Sequence, residues 1–251
     1  MKRRENTNIL RDLVVLVMSI CLTWAAIGLC KKISVEQNIS KQTITENERI
    51  NKVVDELYED YGIKIYINED PTKYYKGTME SYSFSLDAPD NDVLSVLYHL
   101  RSVLSKYNDE TLNKISKQFF IVRDLDKHME DDSIRKMAGT CVKELGNNYI
   151  VISTLINLED RFDYSYVLHH EIFHSITSQV LSNDLSGISN ELIEKIIDID
   201  DCEMISDYAC FAGRDERLAE TWAAVMDDRY HNIKSVQVMK AHLSKSFLKE
   251  Y

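Results

Sequence analysis

This chain has little of what breaks a helix. Two prolines and seven glycines serve 251 residues. Long irregular connections are thereby excluded, and a helix-rich domain with compact joints is expected. Cysteine is sparse as well, at positions 21, 30, 141, 202 and 210 with no C-x-x-C among them. That removes a cysteine-built zinc site and a dithiol redox motif. Beyond residue 30 only Cys141, Cys202 and Cys210 remain, an odd set. Cys202 and Cys210 are therefore expected to be small buried residues rather than a disulfide. The third shortage is basic charge. The formal net charge is −11, and past residue 30 the chain carries 26 basic against 39 acidic residues, which argues against a nucleic-acid partner. Internal repeats, glycine-rich phosphate loops and low-complexity tracts are missing too.

What is present suits a globular core, with 44% hydrophobic residues and 14 tyrosines. Residues 1–12 form a basic segment, and Leu13 to Cys30 runs without a charge. Such a run is long enough for a short membrane span, and the basic flank ahead of it points the rest of the chain out of the cytoplasm. An uncleaved anchor is the preferred reading of 13–30; signal cleavage near Ala25 or Ala26 and lipidation at Cys30 are the alternatives. All three give an extracytoplasmic domain. Residues 31–46 read as a polar stalk and 47–251 as the folded domain.

Within the domain, Asn47 is placed to cap a first helix that Gly62 ends. Residues 63–67 alternate as a strand, and a second short strand is expected near Tyr82 to Ser85. Asp92 is placed to cap a helix to about Tyr107, and 111–116 to add a short one. Residues 118–124 read as a buried strand. Residues 139–144 and 149–153 read as a hairpin around Gly146-Asn147-Asn148. Strands first and helices after argue an α+β domain.

The most informative stretch is His170-Glu171-Ile172-Phe173-His174, an H-E-x-x-H pattern. Seven histidines and nineteen glutamates in this chain supply only about 0.015 such matches by chance. Asp163 is placed to cap a helix running to about Leu181. On it His170, Glu171 and His174 share one face, while His169 falls on the apolar stripe with Phe173, Ile176 and Val180. His169 is therefore expected in the core. Two imidazoles one turn apart can hold Zn²⁺ with one more protein ligand and a water, and the glutamate can take that water's proton.

Two stretches can supply the third ligand. Glu191 and Glu194 lie in Asn190-Glu191-Leu192-Ile193-Glu194, which matches only the first half of the thermolysin-like N-E-x-x-S-D pattern. It equally suits an amphipathic helix over 189–199. The other is Glu216-Arg217-Leu218-Ala219-Glu220-Thr221-Trp222, on a helix whose other positions look core-like.

Here the chain resembles the gluzincins related to anthrax lethal factor and the secreted Pro-Pro endopeptidases. Their second signature reads approximately S-x-Y-A, a short loop, then E-x-x-A-E-x-F/W. It is matched by Ser206-Asp207-Tyr208-Ala209 and Glu216 to Trp222, with Tyr208 eight residues before Glu216, one more than the family spacing. The resemblance covers 167–225. It implies a zincin-like metallopeptidase domain: a small mixed sheet, an active-site helix and a helical C-terminal part. It also implies Zn²⁺ held by His170, His174 and Glu216, with Glu171 as general base and Tyr208 as donor to the oxyanion. Glu220, Asp163 and Asp207 are the candidates to orient the ligand histidines. The expected function is a membrane-anchored, extracytoplasmic zinc endopeptidase acting on proteins or peptides. The rival is a non-catalytic surface or interaction domain with a structural or vestigial zinc site.

Overall fold

The computed structural model describes residues 46–75, 79–131, 133–144, 147–155, 163–178 and 190–249. The expected basic segment 1–12, membrane segment 13–30 and nearly all of the stalk 31–46 lie outside the described residues. So do Gly146 of the expected hairpin turn and the end of the motif helix beyond residue 178. Among the described residues, no helix is long and apolar enough to cross a membrane.

The fold is mixed α+β, with seven strands in two small sheets and eight α-helices among the described residues. Helix α1 spans 46–61, starting one residue ahead of the expected cap Asn47. Gly62 ends it at φ 66 and donates to Tyr58 O at 2.9 Å. A left-handed residue just past the last turn is the position glycine fills without Cβ strain.

Four strands make the larger sheet, β1 (Lys64–Ile67), β3 (Gln118–Val122), β7 (Asn147–Ser153) and β6 (Gly139–Glu144), in the order β1-β3-β7-β6. The first three run parallel and β6 closes one edge antiparallel to β7. Both faces are covered, which is why Phe119-Phe120-Ile121-Val122 and Tyr149-Ile150-Val151-Ile152 read as unbroken apolar runs. Alternate residues serve different cores. Phe119, Ile121, Ile150 and Ile152 face the helices, whereas Phe120, Val122, Tyr149 and Val151 face Tyr75, Met79 and Leu125.

The smaller sheet is antiparallel: β2 (Tyr82–Ser85), β4 (Asp124–His128) and β5 (Ile134–Lys136), with β4 central. Sequence reading expected a single strand over 118–124 and nothing at β4 or β5. The chain instead changes sheets at Arg123, between β3 and β4. Only Leu125 of β4 is buried, and β5 is exposed throughout, so neither carries the alternating apolar signal of a half-buried strand.

Helix α2 (Asp90–Ser105) starts two residues ahead of the expected cap Asp92. Pro89 stands at the cap position, and Asp90 and Asp92 lie in the first turn, where their charge meets the positive end of the helix dipole. Asn108 caps the short α3 (Asp109–Lys114), its side chain accepting from Thr111 N–H. After β7 the chain is helical: α4 (Tyr164–Ser178), α5 (Asn190–Ile197), α6 (Asp207–Phe211), α7 (Arg214–Met226) and α8 (Lys234–Phe247).

Helix α4 packs on β6 and β7 from one side and on α7 and α2 from the others. Gly139, the first residue of β6, sits where a Cβ would come within 2.9 Å of Glu171 Cγ and 3.0 Å of Val167 Cγ1. Only glycine lets the edge strand approach the motif helix this closely. Gly139→Ala should therefore overpack this joint and cost about 1–3 kcal/mol. Chemical denaturation measures it, and an unchanged midpoint would refute the close approach.

Candidate metal centre

Helix α4 begins where the sequence signals it. Asp163 Oδ1 accepts from Tyr166 N–H at 3.0 Å, and the chain from there to Ser178 contains no proline or glycine. Every residue from Tyr166 to Ile176 is buried. The face carrying His170, Glu171 and His174 is thus not a solvated one, and its polar atoms need protein partners. Helix α7 supplies them. Ala219 and Ala223 are fully buried, and their small side chains let the two helices come close.

Three donor atoms converge between α4 and α7. Glu216 Oε2 lies 3.0 Å from His170 Nε2 and 3.0 Å from His174 Nε2, and the two nitrogens are 3.1 Å apart. Ligands about 2.0–2.1 Å from one tetrahedral ion stand about 3.3 Å from one another, so the spacing here suits such an ion. The chemistry of the donors agrees. His170 Nδ1 lies 2.9 Å from Glu220 Oε1, which favours the tautomer protonated on Nδ1 and leaves the Nε2 lone pair facing Glu216. A lone pair facing a carboxylate needs a cation or a proton between them. The cluster of His170, His174 and Glu216 can hold a metal ion.

Glu191 and Glu194, the rival third ligands, are exposed on α5, and Glu194 pairs with Arg214 at 2.5 Å. They are not part of this cluster. Of the three candidates to orient a ligand histidine, Glu220 reaches His170. Asp163 caps α4 and pairs with Arg229 at 2.8 Å, and Asp207 is exposed in the first turn of α6.

Burial works to raise the pKa of Glu220. The contact with His170, the Ser206 hydroxyl at 2.6 Å and the Tyr166 hydroxyl at 3.0 Å outweigh it and hold the carboxyl below its ordinary value. Glu216 is held low in the same way, its burial outweighed by the two histidines. For His170, burial alone would favour the neutral form, but Glu216 and Glu220 overcome it and push its pKa to about 10 in the metal-free site.

Glu171 is buried, and burial is the main cause of a raised carboxyl pKa, with His170 and His174 opposing. The Cys141 backbone N–H on β6 also bonds to its carboxylate, so the edge strand aims it. Tyr208, on α6, lies with its ring centroid 6.2 Å from that of His170. Burial first, then the nearby Glu216 charge, raise its pKa above the ordinary phenol value, with Arg135 opposing. The Arg135 guanidinium stands 4.9 Å from the Tyr208 ring centroid. Ala212 and Gly213 join α6 to α7, with Gly213 at φ 103 as the residue ahead of the first turn of α7.

His169 is a core residue, as its place on the helix implied. It is fully buried, and its Nδ1 lies 2.8 Å from the Tyr107 hydroxyl, which in turn accepts from Trp222 Nε1 at 3.1 Å. Since the hydroxyl proton is then free to donate to Nδ1, this chain ties α4, α7 and the end of α2 together.

No family model, curated protein or solved structure matches this chain. The site is therefore read from its own residues. Sequence reading missed three of them, Gly139, Tyr166 and Arg135, none of which has a local signal, and it quoted Ser206 only within the S-x-Y-A match, without its contact to Glu220. The expectation for Cys202 and Cys210 is also corrected. They form a disulfide with Cα atoms 5.3 Å apart, and the odd cysteine, Cys141, lies on β6 outside that disulfide. The 3₁₀ turn Cys202–Met204 and α6 fold back on each other, and this brings the pair together. Closing so short a loop withdraws about 2.5 kcal/mol of unfolded-chain entropy.

Because His170 carries a proton below about 10 in the metal-free site, a bound ion must displace it. Affinity for Zn²⁺ should rise with pH, about tenfold per unit between pH 6 and 8 for each proton displaced. Competition against a chelator of known pH dependence measures this. A flat profile would contradict the proton-for-ion exchange.

Proposed function

We propose that this protein is a zinc-dependent endopeptidase of zincin-like fold, similar to the gluzincins of the lethal factor and Pro-Pro endopeptidase group. The observation that carries the reading is the convergence of His170 Nε2, His174 Nε2 and Glu216 Oε2 within 3.0–3.1 Å of one another, with buried Glu171 next to the first of them. These three side chains would hold the ion. When bound, zinc would supply Lewis acidity and lower the pKa of a water in the site.

The remaining work falls to the chain's own residues. Glu171, whose raised pKa makes it a stronger base than an exposed glutamate, takes the proton of the attacking water and later passes it to the leaving amine nitrogen. Tyr208 stays protonated at neutral pH and donates its O–H toward the oxygen on which charge develops. Glu220 fixes the ring of His170, and Tyr166 and Ser206 in turn fix Glu220.

The substrate class follows from the edge strand. Beside Glu171, β6 has β7 on one side and, among the described residues, no strand on the other, so an extended polypeptide can add there by backbone pairing. A disulfide at Cys202–Cys210 supports a domain that works outside the reducing cytoplasm. It agrees with an N-terminal membrane anchor over 13–30.

The test pairs metal content with turnover. Wild type should bind one zinc and cut members of a broad peptide library. Glu171→Gln should keep the zinc and lose about 10²–10⁴-fold in kcat/KM. Glu216→Gln should lose the metal, whereas Glu191→Gln and Glu194→Gln keep it. Wild type that binds zinc and cuts nothing would favour a non-catalytic surface domain. Zinc lost on Glu191→Gln instead of Glu216→Gln would reverse the ligand assignment.

A further inference from the structure

The segment between Cys202 and Cys210 carries two of the groups that face the metal cluster. Ser206 caps α6, its Oγ accepting from Ala209 N–H at 3.0 Å and donating to Glu220 Oε2 at 2.6 Å. Two residues on, the Tyr208 ring stands with its centroid 6.2 Å from that of His170. Both therefore lie on the side of α7 that faces His170.

Little else fastens this segment. Helix α6 has five residues, far fewer than a helix needs to persist on its own propensity. Of residues 202–212 only Ile205 and Ala209 are buried, while Met204 is 53% and Phe211 85% exposed. Apolar burial gives it a weak hold, and the cross-link from Cys202 to Cys210 closes the very span that contains Ser206 and Tyr208.

We propose that the Cys202–Cys210 disulfide is the positioning element of this site. It holds Ser206 and Tyr208 against α7, so hydrolysis runs fully in the oxidised protein and drops when the bond is reduced. The effect on turnover rests on the peptidase reading above; the effect on the segment does not. In a reducing compartment the reaction is thiol–disulfide exchange with a dithiol. The S–S bond breaks, the dithiol leaves as its own disulfide, and Cys202 and Cys210 gain two electrons and two protons. Since His170, His174 and Glu216 lie outside the segment, ion binding survives the change. A protein so built is slow in a reducing compartment and reaches full rate in an oxidising one.

The first arm of the test needs no activity. Hydrogen exchange is followed by mass spectrometry on metal-free protein. It compares the oxidised chain, the chain reduced with a water-soluble phosphine, and the double variant Cys202→Ser/Cys210→Ser. The phosphine takes its oxygen from water, leaves both thiols protonated, and does not strip zinc as a dithiol would. The amides of Ala209 and Ala212, both hydrogen-bonded in the oxidised structure, should exchange at least tenfold faster after reduction and in the double variant. Peptides from α4 and the interior of α7 should not change. Equal protection in all three proteins overturns the proposal. So does a parallel loss in α4 and α7, which would make the disulfide a general brace.

The second arm uses zinc-loaded protein. Reduction should lower kcat tenfold or more, with KM within twofold and zinc still at one per chain. Reoxidation should restore wild type and leave the double variant low. In Tyr208→Phe, reduction should change kcat less than threefold, because the group being positioned has already gone. A reduced wild type at full rate, or a Tyr208→Phe variant that loses as much as wild type, overturns the proposal. If oxidised wild type binds zinc and cuts nothing, the peptidase reading falls, and the exchange arm alone decides whether the disulfide positions the segment.

Discussion

The structure turns on a buried carboxylate. Glu220, on α7, is 6% exposed and is met by groups from two other places: His170 and Tyr166 on α4, and Ser206 at the start of α6. An ionised carboxylate taken out of water is unfavourable unless it is closely paired. Here the pairing is what brings the elements together. Removing one partner of such a buried pair costs about 3–5 kcal/mol, so helices, ligand and cap are coupled by the same charge. The convergence of Glu216 with the two histidines one turn away is a consequence of that registry.

A second tie runs on the far side of α4. The Tyr107 hydroxyl lies between His169 Nδ1 and Trp222 Nε1, all in the dry core. Trp222 also packs against Phe173 and Phe247 with ring centroids 6.0 and 5.5 Å away. The two ties sit on different faces of α4 and both end on α7. Two such contacts fix rotation as well as approach, and a cluster of donor atoms built from two helices needs both. His169 and His170 are neighbours in sequence with opposite tasks. The burial of one makes the core continuous, and the polar partners of the other make the site.

How much of this the sequence carried depended on whether the information was local. The motif helix, its Asp163 cap, the outward place of Glu191 and Glu194, and the core place of His169 all follow from helical periodicity, which is local. Residues 139–144 pair antiparallel with 147–153, so the pairing was legible, but the second strand begins two residues ahead of the expected 149 and takes in Asn147 and Asn148 of the expected turn. Strands β4 and β5 escaped because they bury almost nothing on their own, and only pairing with β2 makes them strands. Gly139 escaped because its reason is a helix thirty residues further on. The disulfide escaped because counting cysteines treats all three as equivalent, whereas the fold puts Cys141 on an edge strand away from the other two. Tyr166 has no local signal at all, since its partner is the carboxylate 54 residues later.

The parts of the site divide by how they are held. His170, His174, Glu216 and Glu220 are fixed by helices packed face to face in a core, the arrangement least able to move without unfolding. The groups that would touch a substrate are held at the periphery. Arg135 stands on an exposed strand, β6 is the last strand of its sheet among the described residues, and Tyr208 rides on a five-residue helix closed by a disulfide. On the proposed reading, ion binding and substrate handling would therefore vary independently, because different forces hold the two sets of groups. Packing sets the first. Backbone pairing, one cation over a phenol ring and one covalent bond set the second. The scarcity of glycine and proline fits this division: among the described residues, the glycines at positive φ, Gly62 and Gly213, stand at helix boundaries, and Gly213 makes the turn between the helix of Tyr208 and that of Glu216.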